Sequence, residues 1–308
     1  MGLTVVMNGV TKSYDGVSAL QGVTTTIEDR EIHGFFGSDR TGKTTLLLVL
    51  AAIIPPTTGT VSVDGQDIAV DPGKLRKKLS ISFKDPLLDP RLTLEQNLRF
   101  LAEICRLEPK TVDGIIDFFD LGALRRKKVT ELNPATKKIL ENSKTFIRQT
   151  KYAVFDEPTF SLDPASRAKV WDKIRDLRNK GSTVIISSKN SEEIEALCDN
   201  VGLIKNGRLV LDGATKDLKA LLPTKEFVEI IPMSSIDKAR QILANQNDFS
   251  GPLTSDSNSV KLYFADAKTL VPIIAKSLLD GGVGIRSLQV KPTTFEDVIS
   301  LKEANQIR

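Results

Sequence analysis

Histidine is nearly absent from this chain of 308 residues; His33 is the only one. No Cys/His pair has the spacing of a zinc site, and His33 lies in an apolar run that reads as a packed strand. Cysteine is scarce as well. Cys105 and Cys198 both sit in helix-like segments among apolar neighbours, which argues against a structural disulfide and for free, buried thiols in a reducing compartment. Aromatics make up 6% of the residues, and the net charge of +4, from 43 basic and 39 acidic residues, is small and scattered. A nucleic-acid footprint needs a larger basic stripe with stacking aromatics, so no nucleic-acid partner is expected. The short clusters at 74–78 (KLRKK) and 125–128 (RRKK) read as solvated faces. Long apolar runs are missing too. The longest, 46–54, has nine residues, against the ~20 needed to span a bilayer. The N-terminal stretch has no basic start followed by an apolar core, so no signal peptide is expected, and any membrane role must come through a partner.

What is present is an ordinary globular composition, 40% hydrophobic and 27% charged, over a length that suggests two domains. Residues 3–36 read as strands, the last of them a short apolar run ending at Gly37. Residues 44–52 read as a helix stopped by Pro55-Pro56. Asp64-Gly65 and Asn206-Gly207 mark hairpin turns within 59–68 and 201–213. From 92 to 147 the pattern is helical, with Leu94, Leu98, Leu101 and Ile104 spaced to share one buried face. Strands return at 152–156 and 183–187, separated by a helix over 164–180 with the stripe Val170, Ile174, Leu177 and a stop at Gly181. A boundary is expected at 220–225 (ALLPTK). Beyond it follow strand 227–231, helix 234–246, strand 259–264, helix 267–280, strand 283–290 and helix 294–304, the last opened by a capping box from Thr293 and Thr294 to Glu296 and Asp297.

Two motifs carry chemistry. Gly37-Ser38-Asp39-Arg40-Thr41-Gly42-Lys43-Thr44, followed by Thr45, matches G-x-x-x-x-G-K-[ST] between an apolar strand and a helix. Its glycines let the backbone curl so that successive N–H groups and a helix start face phosphate oxygens. Lys43 would reach the β- and γ-phosphates of ATP, and the Thr44 hydroxyl would ligate Mg²⁺. The second motif is an apolar strand ending in Asp156 and Glu157. Asp156 would hold Mg²⁺ through a water, and Glu157 would orient or deprotonate the attacking water.

With Phe160-Ser-Leu-Asp163-Pro164 following these acids, residues 3–219 resemble the ATPase subunits of ABC transporters. The resemblance implies an α/β fold: a P-loop NTPase core with an antiparallel β subdomain and a helical insert at about 86–147, together an ATP-binding domain over 1–220. A small C-terminal α/β domain over 226–308 completes the chain. That domain and the tail TFEDVISL resemble the drug-, lipid- or antibiotic-exporter branch. By the same resemblance Tyr14 stacks on adenine and Asp163 belongs to the D-loop. A separate transmembrane permease subunit and a homo- or heterodimer with a second ATPase subunit are implied, at the inner face of the cell membrane.

The chain departs from the family where hydrolysis is concerned. The signature LSGGQ is matched by Leu132-Asn133-Pro134-Ala135-Thr136. Asn133 and Pro134 suit a helix start, but Pro134 has no N–H to offer a phosphate, and Ala135 adds a methyl where the backbone must come close. The switch histidine is replaced by Lys189, which offers the γ-phosphate a cation but shuttles no proton at neutral pH. The Q-loop glutamine is replaced by Lys84, which has donors only and is expected to neutralise Glu157 or a phosphate. Arg40 replaces a loop glycine, and Asp39 adds repulsion that Arg40 is expected to offset. The expectation is therefore an ATPase coupled to export whose hydrolysis is slow. The alternative is a hydrolysis-deficient regulatory or scaffold subunit. The chain has neither the second cassette nor the long coiled-coil insertion of ABC proteins in translation or DNA repair.

Overall fold

The computed structural model describes residues 3–245, 251–255, 258–264 and 267–304, in two compact units, Met1–Thr215 and Lys216–Arg308. The division falls after Thr215 rather than at 220–225, because all but the first residue of the helix over 215–220 counts with the second unit.

The first unit opens with β1 (Leu3–Tyr14), β2 (Val17–Glu28) and β3 (Ile32–Phe36), then α1 (Lys43–Leu50), β4 (Thr58–Val63), β5 (Gln66–Asp67), α2 (Pro72–Lys78) and β6 (Leu79–Ser82). Strands β2-β1-β4-β5 form an antiparallel sheet. Its β4–β5 turn has Asp64 and Gly65 at φ 53° and 73°, the left-handed pair that the Asp-Gly signal anticipates. The helical insert follows as α3 (Leu94–Ile104), α4 (Pro109–Phe118) and α5 (Pro134–Arg148). Thr93 and Gln96 cap α3 reciprocally, at 2.9 and 3.2 Å. The expected stripe on α3 is corrected at its far end. Leu94 and Leu98 are buried with Asn97 and Ala102, but Ile104 is 63% exposed. The buried face runs along Leu94, Leu98 and Ala102, and this line carries Ile104 to its edge in the last turn. Cys105, at the end of α3, is half-buried rather than buried; Cys198 is buried, and both are free thiols.

The remaining elements of this unit are β7 (Tyr152–Asp156), α6 (Pro164–Asn179), β8 (Thr183–Ser188), α7 (Ser191–Leu197), β9 (Asn200–Lys205), β10 (Arg208–Ala214) and the start of α8 (Thr215–Ala220). Val170, Ile174 and Leu177 are the buried stripe of α6, and Gly181 follows at φ 98°. The central sheet runs β10-β9-β3-β8-β7-β6, parallel except for β10. Strands β3, β7 and β8 are buried at every position, as a parallel sheet covered on both faces requires. His33 is one of these buried residues, its Nδ1 3.1 Å from Glu31.

The second unit contains β11 (Glu226–Pro232), α9 (Ile236–Ala244), β12 (Leu253–Ser255), β13 (Val260–Tyr263), α10 (Ala267–Asp280), β14 (Ile285–Pro292) and α11 (Phe295–Glu303). The order β12-β13-β11-β14, antiparallel throughout, is the split β-α-β-β-α-β arrangement. The expected helix 234–246 ends in a residue, Gln246, that lies outside the described ones. The sequence reading lacks β12, whose three residues are too few to show alternation. Val228 and Ile230 of β11 pack on α9 and α10, while Phe227 points to the opposite face with Tyr263 and Leu301 of α11. The cap of α11 is narrower than expected. Thr294 N–H donates to Asp297 at 2.8 Å, whereas Thr293 bonds the backbone of Thr224 and Lys225.

Candidate functional site

Three neighbouring parallel strands, β3, β8 and β7, end at the same level: Phe36 pairs with Ser188, and Asp156 with Ser187. The loop 37–45, Lys189 and Glu157 therefore leave the same edge of the sheet, where ligands of open α/β sheets bind. A cavity of about 390 Å³ lies there, lined by 39–45, Lys84, Glu157, and Ser18, Ala19, Gln21, Asn206 and Gly207 from the hairpins. Gly42 and Gly207 meet at its wall. Both have positive φ, 102° and 76°, and a Cβ on either would stand 2.5–2.6 Å from the carbonyl oxygen of Ala19. Only glycine fits at either position.

The loop curls around its own lysine. Lys43 is 4% exposed, and its Nζ donates to the carbonyls of Gly37 at 2.7 Å and Ser38 at 2.6 Å. Burial lowers its pKa, partly countered by Glu157, Asp39 and Asp156. The Thr41 hydroxyl donates to Ser38 O at 3.0 Å. Arg40 takes φ 63°, the conformation a glycine would hold without strain; in a non-glycine residue it costs roughly 1–2 kcal/mol. The expected change at this position is thus a left-handed arginine within an otherwise closed loop.

Thr44 Oγ1 donates to Asp156 Oδ2 at 2.7 Å, and Ser187 Oγ donates to the other oxygen of the same carboxylate. A hydroxyl and a carboxylate converging in this way fit Mg²⁺, which prefers hard oxygen donors and few protein ligands. Glu157, at φ 44°, is buried, and its N–H donates to Ser187 O at 3.1 Å. Its carboxylate lies 2.9 Å from Lys84 Nζ, which also stands 3.4 Å from Asp39. Burial works against the Lys84 charge, but the hydrogen bond and charge of Glu157, with Asp39 beyond it, raise its pKa above the ordinary value. Lys189 Nζ is 2.9 Å from Asp39. Asp39 is thus matched by Lys189 and Lys84, and not by Arg40 as the sequence suggests. The exposed Phe160 ring lies 5.1 Å from Lys84 Nζ and 5.5 Å from Lys189 Nζ.

Three candidates lie apart from this cavity. Tyr14 ends β1, 45% exposed, with Lys12 Nζ 5.3 Å from its ring centre. Asn133 caps α5, accepting from Thr136 N–H at 2.8 Å, with Pro134 at the first helical position. Asp163 caps α6 through Ser166 N–H at 3.0 Å; that bond and the Ser166 hydroxyl lower its pKa.

Sequence reasoning misses a buried polar strip on α5. Lys138 Nζ donates to Phe83 O at 2.7 Å and to Asp156 O at 2.8 Å. Burial pushes its pKa down to about 8 against the pull of Asp156, Glu141 and Glu157. Glu141 accepts from the N–H of Phe83 and Leu87 at 3.2 and 3.0 Å. Asn142 Nδ2 donates to Pro158 O at 2.7 Å and its Oδ1 accepts from Ser82. Three side chains of one helix thus hold both the segment that carries Lys84 and the acid loop. The signal was available: Lys138, Glu141, Asn142 and Thr145 recur at helical spacing among apolar residues. Buried Glu193 joins the next segments, accepting from Thr159, Ser188 and Trp171, and its pKa is raised by burial.

The sequence profile described as "ABC transporter" matches residues 20–160. The daunorubicin resistance ATP-binding protein DrrA3 of Streptomyces coeruleorubidus is 30% identical over 220 residues, 70% of each chain. The Nod factor export ATP-binding protein I of Burkholderia lata is 27% identical over 298 residues, covering 94% of this chain and 93% of its own. Among solved structures, cbiO1 from Clostridium perfringens, part of the ABC transporter complex cbiONQ, superposes with a TM-score of 0.62 at 26% identity, over 71% of this chain and 92% of its own. The dimeric post-hydrolysis state of the ATP-binding cassette MJ0796, bound to ADP and Pi, has a TM-score of 0.64 at 20% identity, over 68% of this chain and 98% of its own. This last likeness bears on the fold alone.

Proposed function

This chain belongs to the ATP-binding subunits of ABC transporters, and from that premise we propose that it binds MgATP at the loop 37–45 and drives export through a separate membrane-spanning subunit. The observation that carries the reading is the convergence of buried Lys43, Thr44 and Asp156 at the edge of three parallel strands. Loop amides and the start of α1 would cradle the phosphates, and Lys43 would exchange the Gly37 and Ser38 carbonyls for phosphate oxygens. Thr44 and Asp156 would hold Mg²⁺, which neutralises charge on the β- and γ-phosphates. Export is the direction because the relatives are named for drug resistance and Nod factor export. Among the described residues no helix is long and apolar enough to cross a membrane. As cbiO1 is part of the ABC transporter complex cbiONQ, we place the permease on a partner chain, with this subunit peripheral on the cytoplasmic face and paired with a second ATP-binding subunit.

We further infer that hydrolysis is slow. Glu157, the candidate base, is ion-paired to Lys84 at 2.9 Å. At the start of α5, Pro134 has no N–H and the Thr136 N–H is taken by Asn133, so Ala135 is the one remaining donor of the first three positions. A dimer of this chain with itself carries that defect in both sites, whereas a partner with an intact signature restores one. Calorimetry of the pure protein with MgATP tests the binding; no heat of association, with Lys43→Ala unchanged from wild type, overturns it. Turnover by the isolated chain tests the second point, and a kcat on the order of 1 s⁻¹ or more, the ordinary enzymatic range, contradicts slow hydrolysis.

A further inference from the structure

We propose that Lys84 and Lys189 form a two-ammonium seat for the terminal phosphate of a nucleoside triphosphate, so that this site holds ATP with little help from a divalent cation. The inference rests on the nucleotide-binding reading above and adds what sets its metal dependence. Lys84 follows β6 and Lys189 follows β8, yet both Nζ atoms reach one aromatic ring, Phe160, at 5.1 and 5.5 Å. Both also reach one carboxylate, Asp39, at 3.4 and 2.9 Å. Asp39 belongs to the phosphate-binding loop itself, so the lysines are tethered over the place where phosphate oxygens would arrive.

The charges make this an ion-exchange site. Lys43, Lys84 and Arg40 line the cavity with Asp39 and Glu157; Lys189 reaches its wall at Asp39, and Asp156 at Thr44. The carboxylates of Asp39 and Glu157 are the present counter-ions of the two unburied lysines. A terminal phosphate offers three strong acceptors to the same ammonium groups. Lysine brings three donors on a flexible four-carbon stem, so Lys84 can donate to a phosphate oxygen while it keeps its bond to Glu157, and Lys189 exchanges Asp39 for phosphate by a side-chain swing with no movement of the strands. Asp39 is half-exposed and can turn to solvent when released. A site with neutral side chains at these two positions must take its balancing charge from the metal; this one carries it on the protein. Before phosphate arrives, burial opposes the Lys84 charge, but Glu157 and Asp39 hold its pKa above the ordinary value.

The test is a calorimetric titration of the full chain with ATP, in excess Mg²⁺ and in EDTA, on wild type, K84Q, K84R and K189Q. For wild type, the Kd in EDTA is expected within about 5-fold of the Mg²⁺ value. For K84Q and K189Q, loss of one charge-assisted hydrogen bond weakens binding in EDTA by about 10-fold and changes the Mg²⁺ value by no more than about 3-fold. K84R keeps the charge and keeps the EDTA affinity. Wild type that binds MgATP but weakens more than about 50-fold in EDTA overturns the proposal, as does K84Q that weakens equally in both buffers. Wild type that fails to bind MgATP at all overturns the underlying nucleotide-binding reading instead.

Discussion

Replacing Asp64 by asparagine isolates one ionic anchor of the scaffold behind the site. Asp64 opens the β4–β5 turn at φ 53°, a conformation asparagine adopts readily, so the substitution keeps the turn and removes a charge. The carboxylate accepts from Lys151 Nζ at 2.6 Å, the Tyr152 hydroxyl at 2.5 Å and Lys78 Nζ at 3.0 Å. Tyr152 begins β7, the strand that ends on Asp156, so this contact ties the antiparallel sheet to the strand of acids. Burial opposes the Asp64 charge, but the three donors outweigh it and hold the carboxyl at about 2, against an ordinary 3.8. The difference is worth about 2 kcal/mol of stability at neutral pH. The folded pKa lies below the unfolded one, so the contribution is complete above pH 3.8 and is lost as pH falls toward 2. The single tryptophan, Trp171 in α6, reports unfolding of the first unit by fluorescence in urea. D64N is expected to be less stable than wild type by about 2 kcal/mol from pH 8 to 5, with the gap closing below about pH 4 and MgATP binding retained. A deficit below about 0.5 kcal/mol at pH 7, or one that persists unchanged at about pH 3, would refute the reasoning.

Three other outcomes follow from the same geometry. Leu98→Ala should cost about 2–5 kcal/mol in the same urea titration, and Ile104→Ala less than about 0.5, because one is buried and the other exposed on α3. Lys138→Met should lower stability by about 1–3 kcal/mol at pH 7, since buried carbonyls of Phe83 and Asp156 lose their donor. With a folded pKa of about 8 below the ordinary 10.5, the gap between wild type and K138M should widen as pH rises between those values. Restoring the helix start with Asn133→Ser, Pro134→Gly and Ala135→Gly together should raise phosphate release in a coupled assay by about 10-fold or more, because it returns the backbone N–H missing at 134 and removes the Ala135 methyl, where the proposed dimer would bring a terminal phosphate. An unchanged rate would place the block at the Lys84–Glu157 pair instead.

The short-range features of the chain were legible without coordinates. The spacing of Gly37, Gly42, Lys43 and Thr44 marks the phosphate loop because a tight curl and a helix start impose it within eight residues. Asn133, Pro134, Asp163 and Pro164 announce helix starts for the same local reason, and Asp64-Gly65 and Asn206-Gly207 their turns. The partial failures are also physical. Helical spacing marked a stripe on α3, but only packing decides how far along the helix the cover extends, and it stops short of Ile104. The three residues of β12 show no alternation by themselves. On α5, the helical spacing of Lys138, Glu141, Asn142 and Thr145 is visible in the sequence, but only the folded partners show which backbone groups the first three hold.

The sequence by itself determined which chemistry is present: a phosphate loop, two acids after a strand, and lysines in place of a glutamine and a histidine. Only the tertiary structure decided which charge meets which. Lys84 pairs with Glu157 and Lys189 with Asp39, across spans of chain far longer than any local rule reaches. The reason is that β3, β8, β7 and β6 lie side by side in an order their sequence order does not give, and the residues leaving their ends become neighbours only once the sheet has formed.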